Sequence, residues 1–84
     1  MSSARIKLPP ELDGLVLSQL EHCIDQANLG IEYTWLIRRY LIAHVPQADL
    51  AAELDWTRPT ISIHITKAIT KIAATARRLY TTHT

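Results

Sequence analysis

Hydroxyl and basic side chains between residues 57 and 71 are the part of this sequence best suited to chemistry. They recur at helical spacing, and no carboxylate side chain occurs from Trp56 to the end of the chain. Hydroxyls can bond a base edge or a phosphate oxygen, basic groups suit guanine or phosphate, and an outward isoleucine can touch a thymine methyl group. The predicted DNA-contacting residues are Thr57, Arg58, Thr60, Ser62, Ile63, Thr66, Lys67 and Lys71. The same residue types also suit an ordinary solvated helix face.

Other kinds of site find little support in the sequence. The four histidines, His22, His44, His64 and His83, show no metal-ligand clustering, and Cys23 adjoins only one of them. No nucleophile and base pairing and no glycine-rich phosphate loop is visible. We therefore expect no enzyme, cofactor, metal or small-molecule ligand, and we expect His64 to be partly buried and hydrogen-bonded.

Two short apolar patterns must position the candidate contacts. Leu50, Ala51 and Leu54 share one face of a helix predicted over residues 47–54. Ile61, Ile65 and Ala68 share one face of a second helix, which begins at residue 58. Thr57 is a good N-cap for the second helix, and Pro59 is tolerated in its first turn. The pattern predicts a tight corner in which Ala51 allows close approach and Leu54, Trp56 and Ile61 fill the wedge.

The segment LAAELDWTRPTISIHI resembles the helix-turn-helix of bacterial and phage transcription regulators. Asp55 stands where such proteins usually have Gly, and Ile63 where they usually place Arg, Gln or Lys. The longer stretch that begins LIRRYLIAHVPQADLAAEL and ends in a basic helix is similar to plasmid operon repressors of the TrfB type and fimbrial operon regulators of the PapB type. That resemblance implies an all-helical, dimeric or oligomeric protein that binds operator DNA. The DNA-facing residues it implies are Arg58, Thr60, Ser62, Ile63 and Lys67.

The remaining pattern predicts an all-α fold of four helices. A first amphipathic helix begins between Pro10 and Asp13 and ends before Asn28, where the Asn28-Leu29-Gly30 sequence is typical of a C-cap. The second, over about residues 32–44, is apolar on more than one side, so it lies in the centre of the bundle or partly faces another subunit. The last runs from residue 58 to about residue 80.

This last helix is long enough to suggest a homodimer. Its first three turns are expected to pack on the domain, while the rest extends past it and needs a partner. The predicted dimer interface combines the ends of the second and last helices: Trp35, Ile42, Ile72, Ala76 and Leu79.

Composition is consistent with one small domain. The chain has 84 residues, 48% of them hydrophobic, and few glycines or aromatics, which favours helices. We expect a flexible arm over residues 1–9, the domain over 10–80 and a frayed tail over 81–84. The single Cys23 favours a reducing cytoplasm, and neither a targeting segment nor a membrane span is expected.

The charge is unevenly distributed although its net value is only +1. Acidic residues dominate the first 34 positions and basic residues the remainder, which places positive potential on the last helix. Together these features predict a homodimeric, sequence-specific regulator of transcription. We expect an operon repressor, with residues 58–67 in the major groove of an inverted repeat of double-stranded DNA. The alternative is a protein interaction module, such as a phage or plasmid factor that docks on a host protein, or an antitoxin. The low net charge and the apolar Ile63 support this alternative.

Overall fold

The structure is a computed structural model that describes residues 8–80, and within that range it is all-helical with no strand. Its five α-helices are α1 (Pro10–Asp13), α2 (Leu17–Gln26), α3 (Ile31–Ile37), α4 (Gln47–Leu54) and α5 (Arg58–Tyr80). A π-helical segment, Arg38–Ile42, continues α3. The all-α prediction is confirmed, whereas most of the predicted arm and the whole predicted tail lie outside the described residues.

Helix α5 is the central element of the fold. Its 23 residues pack against α1, α2, α3 and α4. The buried side chains of α5 recur every three or four residues and form one continuous face: Ile61, Ile65, Ala68, Ile69, Ile72, Ala73, Thr75 and Ala76. Thr75 is the one polar member, and its hydroxyl donates to the Lys71 carbonyl at 3.0 Å. This bond satisfies the hydroxyl within the helix, so Thr75 can be buried at little cost.

The first predicted helix is two helices, which makes the count five rather than four. A turn at Gly14 ends α1, and residues 15 and 16 are not helical. Glycine is a poor helix former, and α2 starts afresh where the Val16 N–H donates to Gln19 Oε1 at 3.2 Å. The predicted C-cap is confirmed: Asn28 and Gly30 follow α2 with φ values of 58° and 92°.

The far end of α5 is covered by the chain itself, so its predicted need for a partner is wrong. Ile72 and Ala76 are 0% and 1% exposed, because the helices that pack on α5 bury them. Arg77 also reaches back to Glu11 of α1. Ile72 and Ala76 therefore belong to the core of the chain and not to a dimer interface. Helical periodicity shows that a face is apolar but does not show which segment covers it. Leu79, the third predicted contact on α5, remains 36% exposed.

Helix α3 has one face in the core and one in solvent. Leu36 and Ile37 are fully buried, while Trp35 is 39% and Ile31 is 92% exposed. The last turn widens into the π-helical segment, in which the Ala43 N–H donates to the Arg38 carbonyl at 3.1 Å. His44, with φ of 60°, then ends the helix. None of the helices in the described range is both long and apolar enough to cross a membrane.

Candidate nucleic-acid interface

The corner between α4 and α5 is closed by backbone hydrogen bonds. Asp55 adopts the left-handed conformation, with φ of 58° and ψ of 37°. The Asp55 N–H donates to the Ala52 carbonyl at 3.3 Å, and the Trp56 N–H donates to the Ala51 carbonyl at 2.9 Å. This pair of bonds is the Schellman arrangement, which satisfies the last carbonyls of a helix and usually has Gly at the left-handed position. Asp is among the few other residues that adopt this conformation.

Thr57 starts α5 as the sequence predicts. Its Oγ1 accepts the Thr60 N–H at 3.3 Å, which is the bond expected of an N-cap residue. The Thr57 hydroxyl also donates to Thr60 Oγ1 at 2.8 Å. The two threonine hydroxyls are thus used in part to hold the first turn, and Pro59 lies in that turn without removing a helical hydrogen bond.

A cluster of three rings, Tyr33, Trp56 and His64, lies where α5 meets α3. Leu50, Ala51 and Ile61 are buried in the wedge, with Leu54 and Trp56 half-buried beside them. The His64 ring lies 4.8 Å from the Trp56 ring, and its Nδ1 shares a hydrogen bond with the Tyr33 hydroxyl. The prediction of a partly buried, hydrogen-bonded His64 is confirmed. This bond ties α5 to α3 across 31 positions of sequence.

The face of α5 opposite its buried side chains is exposed, and it is here called the outward strip. It consists of residues at successive three- and four-residue steps: Ile63, Thr66, Lys67, Thr70 and Lys71. Ile63 is 55% exposed and lies at the N-terminal end of this strip. The Thr70 hydroxyl donates to the Thr66 carbonyl at 2.9 Å. Four of these five residues were predicted contacts, and the position of Thr70 on the same face adds it to them.

The other predicted contacts lie elsewhere on α5. Arg58 and Ser62 have the helical spacing of the buried Ile65 and Ile69, so they continue the core-facing side of the helix beyond the core. Arg58 is exposed because it lies in the first turn, and Ser62 is half-buried. Thr57 and Thr60 are held at the same end by their mutual hydrogen bonds. The eight predicted residues therefore form two groups, the N-terminal end of α5 and the outward strip.

Ion pairs occupy three arginines within the described range. Arg39 Nη2 lies 2.6 Å from Glu53 Oε2, Arg77 Nη2 lies 2.7 Å from Glu11 Oε2, and Arg38 Nη2 lies 3.7 Å from Glu21 Oε2. The hydrogen bond from Arg77 lowers the pKa of Glu11 below its ordinary value. By contrast, no carboxylate within residues 8–80 pairs with four other basic residues: Arg58, Lys67, Lys71 and Arg78. All four are on α5.

A second surface lies on α3 and the π-helical segment. An open cleft of about 290 Å³ is lined by Trp35, Arg38, Arg39, Ile42 and Ala43. The Arg39 guanidinium lies 5.0 Å from the Trp35 ring centroid, and its buried Nε has no hydrogen-bond acceptor among the described residues. Trp35 and Ile42 were predicted interface residues. Ile31 was not among the predicted interface residues, although its four-residue spacing places it on the same side of the helix as Trp35.

Comparison with protein-family models, with curated proteins and with solved structures finds no match to this chain. Within residues 8–80, no three His, Cys, Asp or Glu side chains lie close enough together to hold a metal ion. The two groups on α5 and the cleft on α3 are the candidate functional surfaces of the described residues.

Proposed function

We propose that this protein binds double-stranded DNA through the exposed side of α5 and regulates transcription, acting as a homodimeric operon repressor. The observation that carries the proposal is the charge of that side. The outward strip contains only uncharged and basic residues, and neither Lys67 nor Lys71 has a carboxylate partner within the described range. A protein that neutralises phosphates needs basic groups that are not already paired.

The corner between α4 and α5 supports a helix-turn-helix assignment. A helix enters the major groove only if the side that faces DNA is exposed and the opposite side is anchored. The core anchors α5 through Ile61 and Ile65, and the bond between Tyr33 and His64 adds a polar contact between α5 and α3. In this assignment Lys67, Lys71 and Arg58 contact phosphates, which position the protein but do not read sequence.

Sequence would be read by the smaller side chains. Ile63 is suited to a thymine methyl group, while Thr66 and Ser62 can hydrogen-bond base edges or phosphates. Two copies would place their α5 helices in successive major grooves, about 34–36 Å apart, and would recognise an inverted repeat. Occupation of promoter DNA is sufficient for repression, so the mechanism needs no cofactor.

An electrophoretic mobility shift on DNA from just upstream of the coding region, with a scrambled duplex as competitor, tests this proposal. Specific retardation is expected, with an affinity that falls steeply as salt rises. Lys67→Gln should weaken binding to all sequences and lower the salt slope by about one unit. The matched control is Arg77→Gln, which removes the same charge from an arginine already paired with Glu11. A folded protein that gives no shift at low salt, or equal effects of the two variants, would contradict the assignment.

The second candidate function is a protein interaction module, and the exposed Ile31 and Trp35 of α3 favour it. Such a module would dock on a host protein through apolar contacts, and its binding would depend little on salt. Retention on heparin that salt reverses would support the DNA-binding proposal instead.

A further inference from the structure

An apolar surface on α3 and the end of the π-helical segment is not covered by any other part of residues 8–80. Its members are Ile31, Trp35, Ile42 and Ala43, here called the α3 stripe. Ile31 is 92% exposed and Trp35, one turn later, is 39% exposed. Trp35, Ile42 and Ala43 line the same open cleft. The stripe is thus one continuous surface with a protruding isoleucine at one end and a concave site at the other.

The exposure of Ile31 is unusual for a residue of its type. Leu36 and Ile37 of the same helix are completely buried, so α3 already supplies its share of the core. A large apolar residue beside an exposed tryptophan and an apolar cleft is typical of an interface. The protruding isoleucine and the open cleft lie on the same molecule.

Charged residues also distinguish the two ends of the α3 stripe. Glu32, beside Ile31, is exposed and has no ion-pair partner within residues 8–80. Arg39 lies seven residues later, two turns away on the same side of the helix, next to the cleft. Its Nη2 bonds Glu53 of its own chain, but its Nε has no acceptor within the described residues, so the guanidinium keeps donors for a second carboxylate. The end of α3 with the protruding residue therefore carries an unpaired glutamate, and the end with the concave site carries an arginine that is only partly satisfied.

Only an antiparallel arrangement of two α3 helices brings the protruding residue of each copy to the cleft of the other. It places Ile31 of each copy in the cleft of the other and brings each Glu32 near Arg39 of the second copy. A parallel arrangement would instead place Glu32 beside Glu32 and Arg39 beside Arg39. In a twofold dimer every contact occurs twice, so both clefts are filled and both glutamates are paired.

We propose that a second copy of this chain docks antiparallel on the α3 stripe, with Ile31 of each copy seated between Trp35 and Ile42 of the other. This deepens the proposed function by naming the surface that makes the homodimer. It is tested without DNA, so failure of the dimer and failure of DNA binding are distinguishable.

Self-association measured by sedimentation equilibrium is the first test. The wild type should be a dimer at micromolar concentration, and Ile31→Glu should weaken association at least about 100-fold because the contact occurs twice in each dimer. The matched control is Leu17→Glu, which adds the same charge at a 58% exposed apolar residue that is also the first residue of its helix. Both variants should keep the wild-type circular dichroism spectrum. A monomeric wild type, or equal dissociation of the two variants, would overturn the proposal.

Disulfide trapping tests the orientation. Ile31→Cys and Ala43→Cys combined in one chain should give a covalent dimer on mild oxidation, whereas either substitution alone should not. Positions 31 and 43 are about 18 Å apart along one helix, too far for a bond within the chain. Native Cys23 is completely buried and should remain reduced. A covalent dimer of the Ile31→Cys single variant would show parallel helices and overturn the antiparallel model.

Discussion

The left-handed conformation of Asp55 makes a quantitative prediction about the corner on which the DNA-binding proposal depends. At φ of 58° a side chain with a Cβ atom crowds the following carbonyl, and Gly avoids this contact. Asn and Asp are intermediate, because their short polar side chains hydrogen-bond locally. We therefore expect stability to fall in the order Asp55→Gly, Asp55→Asn, wild type, Asp55→Ala.

The size of the effect follows from two opposing contributions. A left-handed residue with a Cβ atom is disfavoured by about 1–2 kcal/mol. Glycine loses about 0.5–1 kcal/mol more backbone entropy than alanine on folding, which offsets part of that gain. The Gly and Ala variants should thus differ by about 1 kcal/mol, or about 4–8 °C in Tm for a domain of this size. The wild type should lie between them.

Thermal unfolding followed by circular dichroism measures this order. Asp49→Gly is the matched control, since Asp49 is exposed in the first turn of α4 and has no left-handed backbone. This substitution should destabilise the domain by up to about 1 kcal/mol. If Asp55→Ala were as stable as Asp55→Gly, Asp55 would not be left-handed, and α4 and α5 would not meet in the corner described here.

Two further predictions concern contacts that join distant parts of the chain. Tyr33→Phe should destabilise the domain by about 1 kcal/mol in urea unfolding, because His64 loses its hydrogen bond. Adding His64→Phe should recover part of that loss, and simple additivity of the two effects would contradict a direct bond. The Glu11 and Arg77 pair should stabilise the fold above pH 4.5, the ordinary pKa of a glutamate, and should lose this effect as pH falls through the lowered pKa of Glu11. The decline in stability towards acid pH should therefore be shallower in Arg77→Gln, and an identical pH dependence would show that the pair contributes nothing.

The sequence predicted the corner well because its signals are local. The predicted bounds of α4 and α5 were correct. The signals for the corner lie within a few residues of the helix ends that they define: Pro46 before α4, the break at Asp55 and the Thr57 cap. Left-handed Asp55 was also foreseeable, because the resembling regulators usually have Gly at that position. The outward strip followed from periodicity alone.

The features that were missed depend on contacts between distant segments. Periodicity placed Ile72 and Ala76 on an apolar face, but only the folded chain shows that its own helices bury them. The pairs that occupy Arg39 and Arg77 join residues 14 and 66 positions apart. No local pattern predicts such pairs, so the sequence could not separate paired arginines from unpaired ones. The π-helical segment after α3 had no recognised signal either.

The correction at Ile72 and Ala76 has a consequence for both proposals. Because the core covers one side of α5 through Ala76, the outward strip is the side that remains available to a ligand. A helix that used this side for self-association would have to bring Lys67 and Lys71 of two copies together, which like-charge repulsion opposes. A dimer surface is therefore better placed on another helix, and α3 carries Ile31, the most exposed large apolar residue within residues 8–80. DNA binding and dimerisation then use different helices, and single substitutions can separate them.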